Sequence, residues 1–258
     1  MKKLSNEELH RKLKGELKKY EGLRLEQVVF NEELVDDYEK YADDLPRKIL
    51  KTFPSIDGFL AGGVRPGQVA TIVAGTNVGK TTIATNVERN LIGTDFLGPD
   101  EFVLNLGMEL TKRDITETRV QMELDVNIYE VESKFKKKDK DFIEKCRVAL
   151  QRYDRNINLL FRMQPHELKT YIFALQELLQ AKIKGLICDY VGLFRLQASE
   201  YERITESMIS LQENAIYFDI PVLNFSQRGD TRDRNKKNEI SLTSGKGSAE
   251  VENSSKIL

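Results

Sequence analysis

The sequence predicts an α/β domain in which a mainly parallel β-sheet is flanked by helices and preceded by a short helical N-terminal segment. Three observations predict it. The octapeptide Ala74-Gly75-Thr76-Asn77-Val78-Gly79-Lys80-Thr81 fits the phosphate-loop pattern G-x-x-x-x-G-K-[S/T] at every position but the first. Short β-branched runs alternate with segments of helical periodicity, as in a parallel sheet covered on both faces. Several of those runs end in an acidic or amide residue, at the strand ends where such sheets bind ligands.

Residues 1–45 are charged and helical in pattern, with narrow apolar stripes at Leu9, Leu13 and Leu17 and at Leu34, Tyr38 and Tyr41. Leu45-Pro46-Arg47-Lys48 is expected to break the helix and mark a boundary, so that 1–45 form a helical N-terminal or linker segment and 46–258 the main domain. Ala61 to Gly67 is a glycine-rich turn into the first strand, Gln68–Val73. After the loop, Ile83, Val87 and Leu91 recur every four residues on one helix face, beginning with Thr82. Glu101–Leu106 follows as a strand, Thr111–Leu124 and Asp139–Tyr153 as helices, and Ile157–Phe161 as a strand. Pro165–Ala181 is a helix with Pro165 suited to its first turn. Strands at Gly185–Tyr190 and Ile220–Phe225 enclose a helix from about Glu200 to Phe218. Lys134-Phe135-Lys136-Lys137-Lys138 is a short basic run.

Composition narrows the classes. The 258 residues carry 40 Lys+Arg against 41 Asp+Glu, a net charge of −1, so any nucleic-acid contact must come from local basic segments. Cys146 and Cys188 are too few and too far apart for a metal cluster or a disulfide framework, and Cys188 reads as a small core residue. The first residues lack a signal-peptide apolar region, and no stretch approaches the ~18 apolar residues of a membrane span. A reducing, cytoplasmic setting and no membrane partner are expected.

Strand, loop and helix together imply that the chain binds a nucleoside triphosphate. The loop N–H groups and the positive helix end cradle phosphate oxygens. Lys80 would reach the β- and γ-phosphates, and the Thr81 hydroxyl would ligate Mg²⁺. Leu186-Ile187-Cys188-Asp189 is an apolar strand ending in a carboxylate placed to hold the Mg²⁺ hydration shell; a strand-end cap is the alternative. Glu109, just beyond the strand Phe102–Leu106, can polarise a water attacking the γ-phosphate, or it can be a helix-start glutamate stabilised by the dipole. Gln227 ends another strand and could sense the γ-phosphate. The following loop carries Arg228, Arg232, Arg234, Lys236 and Lys237, and a second glycine-rich turn carries Lys246. Such loops are either solvated or grip nucleic-acid phosphates.

These residues resemble the RecA-type motor domain of hexameric DnaB-type replicative helicases, especially those of tailed phages. Five blocks match in order. They are Phe53-Pro54-Ser55-Ile56-Asp57 with Gly62-Gly63-Val64-Arg65-Pro66-Gly67, the loop 74–81, Gly107-Met108-Glu109-Leu110-Thr111, Ile187-Cys188-Asp189-Tyr190, and Pro221-Val222-Leu223-Asn224-Phe225-Ser226-Gln227. Alanine at the first loop position is usual in that family. The resemblance covers roughly residues 50–258 and implies a RecA-like core that uses ATP and Mg²⁺. It implies Glu109 as catalytic glutamate, Asp189 as Walker-B aspartate, Gln227 as sensor, and the loops after Gln227 and around Lys246 facing DNA. It also implies single-stranded DNA, a homo-oligomeric hexameric ring, and a primase or helicase loader as partners.

Family members carry a larger N-terminal helical domain, and they continue past the Gly-Ser-Ala-Glu segment to an arginine finger. The expectation is therefore a motor domain incomplete at its C-terminus, with turnover by this chain alone open. Two other readings remain: a RecA- or RadA-like recombination ATPase, and a nucleotide-binding assembly module without turnover. The Met-Glu-Leu-Thr block and the Ser-Gln strand end favour the helicase.

Overall fold

The structure is a computed structural model that describes residues 33–75, 78–227 and 256–257. The chain divides into two compact units, Met1–Pro46 and Arg47–Leu258. The described part of the first lies in helix α1 (Glu33–Lys48), where the Tyr38 and Tyr41 rings sit 5.9 Å apart. The stripe at Leu9, Leu13 and Leu17 lies outside the described residues. The break expected at Leu45–Lys48 comes at the last residue of that segment. The helix runs through Pro46 and ends at Lys48, and the missing Pro46 N–H leaves the carbonyl four residues earlier without its helical donor.

The second unit is built on a parallel sheet of β1 (Val69–Ala74), β2 (Glu101–Gly107), β3 (Asn156–Leu159), β4 (Lys182–Asp189) and β5 (Val222–Gln227), in the order β3-β2-β4-β5-β1, with the two-residue β6 (Lys256–Ile257) beside β1. Before the sheet comes a short helix α2 (Pro54–Phe59); between strands come α3 (Lys80–Ile92), α4 (Lys112–Leu124), α5 (Ile128–Lys136), α6 (Lys140–Gln151), α7 (Leu168–Leu179) and α8 (Glu200–Phe218).

Alternation along the strands separates two apolar layers. Phe102, Leu104 and Leu106 of β2, with Leu186 and Cys188 of β4, pack with Ile172 of α7 and Met208 and Leu211 of α8. Val103, Ile187, Leu223 and Phe225 point the other way and meet Ala84, Val87 and Leu91 of α3. Each fully buried leucine or phenylalanine of these layers stabilises the fold by about 1.5–3 kcal/mol. A third, smaller cluster joins Val120, Val131, Phe142 and Cys146 of α4, α5 and α6. Both cysteines are buried free thiols, Cys188 in the core as expected.

Two differences from the sequence reading have local causes. Helix α5 was not anticipated. Asn127 caps it by accepting from the Glu130 N–H at 2.9 Å, and the basic run supplies its last turn, where Lys134 pairs with Asp139. The segment from Pro165 opens as a 3₁₀ turn, Pro165–Glu167, before α7 begins.

The segment ahead of β1 is pinned behind α3. Leu50 and Val64 exchange both backbone hydrogen bonds at 2.9 Å, and Asp57 accepts from the Thr52 N–H and hydroxyl. Gly63, at φ +130, makes this bridge possible: a Cβ there would stand 2.6 Å from Ile49 Cγ2 and 2.7 Å from the Leu50 carbonyl oxygen. Gly63→Ala is expected to cost about 2–4 kcal/mol in urea denaturation, from backbone strain and overpacking together. A change below about 0.5 kcal/mol would show that the bridge does not need glycine.

Candidate functional site

Because the strands are parallel, their carboxyl ends lie along one edge, and the four neighbours β2, β4, β5 and β1 bring the sequence-predicted residues to it. Gly107 is in register with Asp189, and Glu109 follows two residues later in an exposed turn. Gln227, the last residue of β5, is in register with Ala74, where the phosphate loop departs.

The loop itself is described at Ala74, Gly75 and Val78–Thr81; Thr76 and Asn77 lie outside the described residues. Gly79 caps α3 at φ 89, a left-handed conformation that glycine adopts without strain. Gly79 has no side chain with which to cap this end, where the first N–H groups of α3 suit an anion. Lys80 Nζ donates to the Gly75 carbonyl at 2.7 Å and lies 5.9 Å from the centre of the Tyr190 ring. The loop is thus closed on its own lysine.

The Thr81 hydroxyl donates to Asp189 Oδ2 at 2.6 Å, across 108 positions of sequence. Asp189 is 8 % exposed. Burial pushes its carboxyl above the ordinary value, an effect opposed by the Thr81 hydroxyl and the Lys80 charge. Thr82 is exposed, and its carbonyl accepts from the Asn86 amide.

Helix α4 follows Glu109 after Leu110 and the cap residue Thr111. Thr111 caps it in a reciprocal box: its hydroxyl accepts from the Asp114 N–H at 3.2 Å, while Asp114 Oδ2 accepts from the Thr111 N–H at 2.7 Å. The Thr111 hydroxyl and N–H hold the Asp114 carboxyl below its ordinary value. Glu109 belongs to neither partner of the cap, which leaves its carboxylate to solvent.

A cleft between α3 and α4 is lined by Thr81, Asp189, Gly107, Asn105, Glu88 and Arg119. The last three were missed in the sequence. Arg119 and Glu88 form a buried ion pair at 2.7 Å. Burial pushes the Glu88 carboxyl up, against the pull of Arg119. A signal was present: Glu88 falls on the same stripe as Ala84, Val87 and Leu91, where a charge is out of place.

Oxygen donors that face each other, a hydroxyl and a carboxylate, suit a hard divalent cation such as Mg²⁺. Among the described residues no group of three or more His, Cys, Asp or Glu could hold an ion. One hydroxyl and one carboxylate fill only part of the octahedral shell such an ion takes. Arg228, Arg232, Arg234, Lys236, Lys237 and Lys246 all lie outside the described residues.

The family model described as "DnaB-like helicase C terminal domain" matches residues 49–258. The chain belongs to this family. A solved ATPase domain of a phage protein is similar at TM-score 0.68 and 16% identity, over 88% of this chain and 81% of that one. A second solved structure, of a DnaB-like replicative helicase and its interactions with primase, is similar at TM-score 0.58 and 16% identity, over 83% of this chain and 52% of that one. At such identity these likenesses establish the fold, the RecA-like parallel sheet of DnaB-like helicase domains. No curated protein sequence matches the chain. Among the described residues, no helix of this DnaB-like domain is long and apolar enough to cross a membrane.

Proposed function

We propose that the protein is an ATP-dependent DNA helicase motor, which hydrolyses ATP to translocate on single-stranded DNA and unwind duplex during replication. The observation that carries the reading is the Thr81–Asp189 contact at 2.6 Å, on the strand edge that also holds Lys80, Glu109 and Gln227. Membership of the DnaB-like helicase family supports it.

In this reading the amides at the start of α3, with the loop 74–82, cradle the triphosphate, and Lys80 turns its ammonium from the Gly75 carbonyl to the β- and γ-phosphate oxygens. Thr81 and Asp189 would hold Mg²⁺, which supplies charge neutralisation on the phosphate oxygens. Glu109 accepts a hydrogen bond from the attacking water and orients it in line with the γ-phosphorus. Gln227, beside the root of the loop, hydrogen-bonds the γ-phosphate and passes its loss to the segment that follows. Residues 46–258 are the motor and 1–45 a helical linker through which copies assemble as a hexameric ring in the cytoplasm. A primase or a loader is the expected protein partner, and the similar DnaB-like replicative helicase is itself described with primase.

Hydrolysis of ATP with Mg²⁺, stimulated by single-stranded DNA, is the test, and ATP-driven strand exchange on filaments in its place would favour a recombination ATPase. With a net charge of −1, DNA binding must be local. Replacing Arg232, Arg234, Lys236 and Lys237 together by alanine should flatten the salt slope of single-stranded DNA binding by up to about 0.7 per lost contact. ATP affinity should stay within about threefold, since the loop 74–82 is untouched. The comparison is made on the assembled form, where several copies of the loops act together. An unchanged slope would show that this loop is only solvated.

A further inference from the structure

Behind the candidate site lies a buried charge pair that the chemistry above does not use. Glu88 of α3 and Arg119 of α4 are 7 % and 6 % exposed, and Arg119 Nη2 donates to Glu88 Oε2 at 2.7 Å. The same nitrogen stands 3.2 Å from Asn158 Oδ1 on β3, and the Tyr153 ring centre lies 4.4 Å from the guanidinium carbon. One turn farther along, Glu123 of α4 accepts from Arg89 of α3 at 3.0 Å, from the Tyr153 hydroxyl at 3.0 Å, and from Arg152. Two ion pairs in succession therefore fasten α3 to α4.

Both helices begin at the candidate site. Helix α3 starts with Lys80 and Thr81, and α4 starts at its Thr111 cap, two residues after Glu109. Glu109 is thus held between the end of β2 at Gly107 and the start of α4, and the angle and rotation of α4 on α3 act on where it stands relative to phosphates bound at α3.

Stability is a weak reason for such a pair, because burying two charges is costly and apolar residues of similar volume often serve as well or better. Direction is a stronger one. A planar guanidinium that bonds α3 and β3 and stacks on Tyr153 holds α4 along three set directions. Apolar side chains fill the same space without fixing rotation, since their attraction is non-directional.

We propose that Arg119, oriented by Glu88, is a positioning residue for ATP hydrolysis: it locks α4 on α3 and so sets the place of Glu109 against the bound nucleotide. The proposal rests on the function argued above. It separates affinity from rate, because the phosphate-binding groups sit on α3 and β4, while Glu109 is carried by the turn into α4.

The test compares Arg119→Met, Glu88→Met and the double variant in the chain 1–258. Either single change leaves a buried charge unpaired and lowers Tm; the double change removes both charges and restores it. The double variant should keep its Kd for ATP with Mg²⁺ within about threefold yet lose kcat by on the order of 100-fold, the effect of displacing a catalytic group by about 1 Å. Its Leu110, Asp114 and Ile115 amides, which bond the Gly107 carbonyl, the Thr111 hydroxyl and the Thr111 carbonyl, should exchange with solvent at least about tenfold faster than in the parent. Arg119→Lys keeps the charge but not the planar guanidinium over the Tyr153 ring and should fall between parent and double variant.

Parental turnover and parental exchange in the double variant would overturn the proposal and leave the pair as ordinary core. So would a loss of affinity that matches the loss of rate. If the parent chain hydrolyses no ATP, the proposed function fails, and the exchange of those three amides still decides whether Arg119 positions the Glu109 turn.

Discussion

Lys80→Ala is expected to lower the affinity for ATP with Mg²⁺ by at least about 100-fold, or ~2.7 kcal/mol, in equilibrium titration. The ammonium is the cation that closes the loop, bonded at 2.7 Å to the Gly75 carbonyl. Phosphate oxygens offer it a charge-assisted partner in place of a neutral one, and alanine offers them nothing. The fold should hardly notice. One partly exposed hydrogen bond is lost, about 1 kcal/mol at most. Parental affinity in this variant would move the phosphate site away from residues 74–81.

Glu109→Gln is expected to do the reverse. Affinity should remain within about threefold, while turnover falls by roughly 10²–10⁴-fold, the usual contribution of a positioned general base. The substitution keeps the shape and removes only the charge. It should not disturb α4, whose cap is made by Thr111 and Asp114. Nor does it touch the Thr81–Asp189 pair. Turnover at the parental rate would return Glu109 to the role of a helix-start glutamate and leave the attacking water without an assigned base.

What the sequence made legible follows from where information is local. The phosphate loop, its strand and its helix are contiguous, so spacing alone located Lys80 and Thr81. Asp189 and Gln227 were legible as polar endings of apolar runs, and the parallel register then brings them beside Gly107 and Ala74. Helix α5 was legible in part, since Ile128, Val131 and Phe135 recur at helical spacing after the cap residue Asn127, but its nine residues were read only for the basic run at their end. Pro46 did not stop the helix at once: it runs on for two residues, to Lys48. The Glu88–Arg119 pair lies 31 positions apart on two helices, and although Glu88 falls on the apolar stripe of its helix, Arg119 by itself reads as a surface charge. Only packing shows that both turn inward beside Asp189.

The measurement that bears most directly on the central claim is strand displacement on a forked DNA duplex by the assembled chain, with ATP and Mg²⁺. The account predicts displacement that requires ATP hydrolysis, survives in the parent, and is lost in both Lys80→Ala and Glu109→Gln, with ATP still bound in the second. An assembled parent that binds ATP and single-stranded DNA but leaves the duplex intact, or that exchanges strands instead of separating them, would contradict it.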